Sequence, residues 1–131
     1  MTTDPRRNRV SGIASMHAVV LECPDPAALA DFYSRLLGWP VVRSDPDWVT
    51  VRPSAEDGMR LSFQRAPEYR PPRWPDPASS MQFHLDVTVE DLDRAEEQAQ
   101  KLGATKMAHQ PEPDDFRVYA DPVGHIFCLC S

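Results

Sequence analysis

Runs of strand-like and helix-like hydrophobic patterning follow one another in a definite order in the first half of the chain. The β-branched run 16–23 predicts a strand. Apolar residues between Leu29 and Leu37 then recur at helical spacing, so they predict a helix. Three short runs that predict a meander of strands come next, at 41–44, 48–52 and 59–64. The first half therefore has the order strand, helix and three strands.

The second half of the chain repeats this order. The run 81–89 predicts a strand, and 90–103 predicts an amphipathic helix with an apolar stripe. Three further strands are predicted at 105–109, 116–120 and 125–130. Equivalent punctuation marks both halves: Asp25 and Asp91 at the helix caps, Gly38 and Gly103 at the helix ends, and Gly58 and Gly124 before the last strands. Such a match predicts a tandem repeat.

The repeat predicts an α+β fold in which tandem βαβββ modules form a curved, cup-shaped mixed sheet with the helices outside. We predict a flexible N-terminal tail over 1–12 and a single domain over 13–131. Within it, 13–65 and 81–131 are the two halves. The stretch 66–80 holds five of the 14 prolines, so it reads as a linker or a lid.

Alternation along the fifth predicted strand indicates which side chains line the cup. Phe83, Leu85, Val87 and Val89 share an apolar face that should meet the helix, which leaves His84, Asp86 and Thr88 for the other face. Equivalent strands of the repeat give the full predicted set of polar cup residues: Glu22, Ser62, Gln64, His84, Asp86 and Cys128. Polar side chains on a buried face need partners or a ligand, so we expect a binding site here. His109 and His125 read as surface residues at strand edges.

Composition narrows the classes of function. A net charge of −6 argues against binding to nucleic acid and against binding to an anionic membrane surface. The longest apolar runs are too short to cross a membrane. Three cysteines do not make a disulfide framework, so we expect a reduced, cytoplasmic protein.

Three segments together resemble the vicinal oxygen chelate superfamily of glyoxalase, bleomycin-resistance and extradiol-dioxygenase proteins, and most closely its uncharacterised glyoxalase-like members. They are VVLECPDPAALADFYSRLLGW, HLDVTVEDLDRAEEQAQKLGA and VYADPVGHIFCL. The resemblance implies that each half supplies two ligands to a divalent cation, from its first and last strands. These positions are Ala18, Ser62, His84 and Cys128. Only His84 is a usual ligand there, so we expect no metal cofactor; a weak or atypical divalent site is the alternative.

These observations favour a protein that binds a small organic molecule in the cup without the metal centre of the superfamily. The predicted ligand-binding residues are Ser62, Gln64, His84, Asp86, Cys128 and Trp74, the last as a lid residue. A lyase or isomerase acting on a small oxygenated substrate, with His84 and Asp86 as acid and base, is the alternative. A domain without any ligand is a third possibility. The resemblance also implies a homodimer.

Overall fold

A computed structural model describes residues 12–14, 16–53 and 58–131. The predicted tail, 1–12, lies outside the described residues except for Gly12. In the first half the elements are β1 (Ala18–Cys23), α1 (Pro26–Leu37), β2 (Val41–Asp45), β3 (Trp48–Val51) and β4 (Arg60–Arg65). In the second half they are β5 (Leu85–Thr88), α2 (Leu92–Leu102), β6 (Thr105–Lys106), β7 (Phe116–Ala120) and β8 (Ile126–Cys130). The predicted order of elements is confirmed.

The helices begin and end where their capping residues predict. The Asp25 side chain accepts a hydrogen bond from the Ala28 amide at 3.4 Å, and Asp91 accepts one from Arg94 at 3.2 Å. Gly38 ends α1 with a φ of 70°, a left-handed conformation that glycine adopts without steric cost.

The strands form two four-stranded mixed sheets with the same internal order. The first sheet has the order β1-β4-β3-β2 and the second has β5-β8-β7-β6. In each sheet the first strand pairs parallel with the last, and the registers match: Val20 lies opposite Ser62, and Asp86 lies opposite Cys128. The α+β fold with tandem modules is therefore confirmed.

The fifth strand is shorter than predicted. It begins at Leu85, because Gln82 has a φ of 58° and the Phe83 amide turns back to the Met81 carbonyl at 2.6 Å. Leu85, Val87 and Val89 pack on the core as predicted. The prediction for Phe83 is wrong, since its side chain is 85% exposed. The sixth strand is also short, with two residues in place of the predicted five.

The larger hydrophobic core joins the two halves on the helix side of the sheets. Tyr33 of α1 stacks on Phe63 of the first sheet, with ring centroids 5.6 Å apart, and meets Phe127 of the second sheet edge-on at 6.4 Å. The Tyr33 hydroxyl donates a hydrogen bond of 2.7 Å to the buried Asp121 carboxylate in the turn before β8. The first helix therefore stabilises both modules. Among the described residues, neither helix has the length and apolar character needed to cross a bilayer.

Candidate functional site

Three of the predicted site residues meet on the second sheet. His84 precedes β5, Asp86 lies within it, and Cys128 lies opposite Asp86 on β8. The His84 Nε2 atom is 3.2 Å from the Asp86 Oδ1 atom. The ligand-type atoms of all three side chains lie within 4.8 Å of one another. We call this group the second-sheet trio.

The trio combines two exposed polar groups with one buried thiol. His84 and Asp86 are exposed, whereas Cys128 is 5% exposed. Burial raises the pKa of the Cys128 thiol to about 12, and the charge of Asp86 and a hydrogen bond to it act in the same direction. The thiol is therefore protonated at neutral pH and is a poor nucleophile, because the thiolate is the reactive form.

The proline-rich segment covers the face of the second sheet that carries Cys128. Trp74 and Met81 pack against a small apolar cluster that includes Val118, Ile126 and Cys128. The Trp74 ring also lies 5.4 Å from the ring of His109. Trp74, which the sequence predicted as a lid residue, therefore packs against the apolar cluster that contains Cys128 of the trio.

Among the described residues, the centre of the corresponding face of the first sheet is occupied by the hydroxyl groups of Ser62 and Thr50. Ser62 is 2% exposed, and its hydroxyl lies 2.9 Å from the Thr50 hydroxyl. The Trp48 indole N–H donates to the same Thr50 oxygen at 3.0 Å. Gln64 is exposed and lines a cavity of about 390 Å³ beside Trp48 and Asp47. Ser62 and Gln64 thus belong to β4 of the first sheet, whereas Asp86 and Cys128 of the trio belong to the second sheet.

These contacts test whether the chain fits the divalent centre of the superfamily. Ala18 has no ligand atom, and the Ser62 hydroxyl is engaged with Thr50. At the four family positions, the first half therefore supplies no free ligand, and the second half supplies an imidazole and a thiol where imidazole and carboxylate ligands are needed. The residues at the four positions do not fit such a centre.

A larger cleft lies between β1 and the chain that leads from the proline-rich segment into β5. Its volume is about 940 Å³. It is lined by Val20, Leu21, Glu22, residues 66–72, residues 79–83 and His125. Of the predicted cup residues, Glu22 lines this cleft, whereas Ser62, Gln64, the trio and Trp74 do not.

Tyr69 and His125 form one wall of the cleft. Their ring centroids are 4.9 Å apart, and the His125 Nε2–H group donates to the Glu22 carbonyl at 2.6 Å. His125 is therefore half-buried and connects β8 to β1, in contrast to its predicted place at a surface edge. Burial, and secondarily the charge of Asp121, raises the pKa of Tyr69 well above its ordinary value, so its hydroxyl stays neutral.

Most of the cleft comes from segments without regular structure, which explains why alternation along strands did not reveal it. The signals available in the sequence were Tyr69 within the proline-rich stretch and the polar residues Ser79, Ser80 and Gln82. Neither signal specifies which surface the segment packs against.

Paired βαβββ modules with this strand order define the class as the vicinal oxygen chelate fold. The glyoxalase-like domain family matches residues 18–130, and the chain belongs to that family. Among curated proteins, none matches the sequence significantly.

Solved structures with the same fold include proteins of several functions. A glyoxalase/bleomycin resistance protein/dioxygenase family enzyme from Burkholderia phytofirmans PsJN is 21% identical, with a TM-score of 0.66 over 88% of this chain and 97% of that one. The bleomycin-binding protein of Streptomyces verticillus, complexed with copper(II)-bleomycin, is 17% identical, with a TM-score of 0.56 over 92% and 98%. The trypanothione-dependent glyoxalase I of Leishmania major is 20% identical, with a TM-score of 0.61 over 90% and 86%. At these identities the likeness shows the fold alone.

Proposed function

We propose that the protein binds a small organic molecule in the cleft between β1 and the proline-rich segment, without the divalent metal of the superfamily. The observation that carries the proposal is the cleft itself. Its volume of about 940 Å³ falls within the range of roughly 300–1,000 Å³ that small-molecule sites occupy.

The lining of the cleft suits an amphipathic ligand. Val20, Met81 and Phe83 supply apolar surface, and Glu22 and Arg70 supply charge. Ligand sites are mainly apolar with a few placed polar groups that fix orientation. The bleomycin-binding protein from Streptomyces verticillus offers a precedent for an organic ligand on this fold.

Binding without the metal follows from the composition of the ligand positions. At the two family ligand positions of the first half, Ala18 has no ligand atom and the Ser62 hydroxyl is engaged with Thr50, and Cys128 stands in its protonated form. We therefore expect titration with Mn²⁺, Ni²⁺ or Zn²⁺ to give no tight stoichiometric site. A tight site with one ion per chain would contradict this part of the proposal.

The edges of the first sheet supply a matched pair of variants for a binding test. Val20 on the β1 edge is 42% exposed and lines the cleft, whereas Val42 on the β2 edge is 47% exposed and lies outside it. Val20→Glu should place a negative charge among the apolar groups of the cleft and weaken binding of a negatively charged probe about tenfold or more. Val42→Glu changes the net charge by the same amount and should leave the affinity unchanged.

The probe is 8-anilinonaphthalene-1-sulfonate, whose fluorescence rises on transfer from water to an apolar site. Titration of the wild-type protein should saturate at one probe per chain, and copper(II)-bleomycin should compete with it if that ligand class fits. Equal loss of affinity in both variants would contradict the proposed location. Absence of saturable binding by the wild-type protein would contradict the proposal as a whole.

A second candidate function is that of a lyase or isomerase with His84 and Asp86 as acid and base. The 3.2 Å contact between His84 Nε2 and Asp86 Oδ1 favours it, since a carboxylate orients an imidazole for proton transfer. Hydroxyacetone in D₂O is a suitable test compound, because proton NMR follows exchange of its carbon-bound protons. Wild-type protein should accelerate exchange, His84→Ala should abolish the acceleration, and His109→Ala should retain it. Exchange that survives His84→Ala would contradict this role.

The homodimer and the cytoplasmic location stay predictions.

A further inference from the structure

The backbone at Gln82 has a conformation that its side chain disfavours. Its φ of 58° lies in the left-handed region, and it is the one non-glycine residue with positive φ among the described residues. Such residues store local strain and are concentrated at functional sites. The turn is fixed by two contacts: the Gln82 amide donates to the Ser80 hydroxyl at 3.1 Å, and the Phe83 amide donates to the Met81 carbonyl at 2.6 Å.

This turn changes the direction in which Phe83 projects. Regular alternation would place Phe83 with Leu85 and Val87 against the core, where both of those residues pack. The turn places Phe83 in the wall of the cleft, with 85% of its surface exposed. An exposed aromatic ring costs free energy, and a ligand that covers the ring removes this cost. The strained turn at Gln82 holds the ring in that position.

We infer that Phe83 is the stacking surface for a flat aromatic ring of the ligand, and that the ligand class of the cleft is therefore aromatic. This inference rests on the proposed function. An aromatic ring offers a flat face, and an aromatic pair gains attraction beyond the apolar area that it buries. Val20 supplies apolar surface elsewhere in the same cleft, and Glu22 and Arg70 can contact polar groups of the ligand.

The test compares an aromatic probe with an aliphatic one by isothermal titration calorimetry. The two probes are 8-anilinonaphthalene-1-sulfonate and decanoate, both of which carry one negative charge. Phe83→Leu keeps apolar area but removes the aromatic face, so it should weaken binding of the aromatic probe about threefold to tenfold. The affinity for decanoate should stay the same. Phe83→Trp should retain or improve the affinity for the aromatic probe.

The outcomes separate this inference from the proposed function. If both probes bind and Phe83→Leu weakens them equally or not at all, the aromatic class is wrong while the cleft remains a binding site. If neither probe binds the wild-type protein, the proposed function fails and this inference fails with it. If Phe83→Leu converts a dimer into a monomer in sedimentation velocity and leaves both affinities unchanged, the ring belongs to a subunit interface and the inference is overturned.

Discussion

The two halves of the molecule share one order of elements but bury their helices to different extents. In α1 five residues are buried: Pro26, Leu29, Ala30, Phe32 and Tyr33. In α2 only Leu92 and Ala99 are buried. The aromatic residues of α1 reach Phe127 in the second sheet, so the first helix packs against both halves. The repeat therefore specifies the order of the helices and strands, whereas the individual side chains determine which of the two helices packs against both sheets.

The two sheets also differ in the polar side chains that they carry at equivalent positions. Ser62 and Thr50 form a neutral, buried pair in the first sheet, whereas Asp86 and Cys128 belong to a titratable trio in the second. The equivalent register positions of Ser62 and Cys128 thus hold different chemistry. The difference shows why equivalent positions in a repeat do not by themselves define one shared site.

The largest expected effect concerns the two helices. Leu29→Ala in α1 removes a side chain that is 1% exposed, so it should lower the free energy of unfolding by about 2–5 kcal/mol. Leu102→Ala in α2 removes a half-buried side chain and should cost about half as much or less. Urea unfolding followed by circular dichroism measures both values. Equal losses would contradict the central role of α1.

A second prediction compares two glycines with positive φ. An added Cβ at Gly38 meets no atom within 4 Å, whereas one at Gly124 would lie 2.5 Å from the Pro71 Cβ atom. Gly38→Ala should therefore cost about 1–2 kcal/mol, from the left-handed backbone alone. Gly124→Ala should cost about 1–3 kcal/mol more, because Pro71 must move.

Pro71 also lines the cleft, so Gly124→Ala should weaken binding of the fluorescent probe while Gly38→Ala does not. The same unfolding experiments and probe titrations measure both effects. Indistinguishable stabilities for the two variants would show that the proline-rich segment does not pack firmly on the turn at Gly124.

The smallest expected effects concern two tyrosine–carboxylate pairs with opposite pH dependence. Burial raises the pKa of Asp121 and outweighs the hydrogen bond from Tyr33. Burial also raises the pKa of Glu96, but hydrogen bonds from Lys106 and Tyr119 outweigh it and lower the pKa overall.

The signs follow from linkage. Asp121 contributes stability when it is protonated, and this contribution is lost as pH rises through its folded-state pKa. Glu96 contributes stability above its ordinary pKa, and this contribution is lost as pH falls through its folded-state pKa. Between about pH 3 and pH 7, the free energy of unfolding of the wild-type protein should therefore fall in comparison with that of Asp121→Asn. Over the same range it should rise in comparison with that of Glu96→Gln. Slopes of the same sign would contradict the contrast.

Much of the frame could be predicted from local signals. Asp25, Asp91 and the two closing glycines fix the helices through capping contacts that depend on neighbouring residues alone. The equivalence of Val20 with Asp86 and of Ser62 with Cys128 follows from the repeat, and the structure pairs these positions in the same register in both sheets. Alternation placed His84, Asp86 and Cys128 on one face, where the structure brings them together.

The cleft could not be predicted, because it depends on chain that has no periodic pattern. The turn at Gln82 removes residues 81–84 from the predicted strand and reverses the expectation for Phe83. The proline-rich segment packs through Tyr69 and Trp74 on surfaces that are distant in sequence. No local signal encodes those contacts.

Amide chemical shifts on addition of 8-anilinonaphthalene-1-sulfonate test the location of the binding site most directly. We expect the largest changes at residues 20–22, 79–83 and 125, around the cleft. Changes confined to His84, Asp86 and Cys128, with residues 20–22 unaffected, would place binding at the second-sheet trio and contradict the proposed location in the cleft.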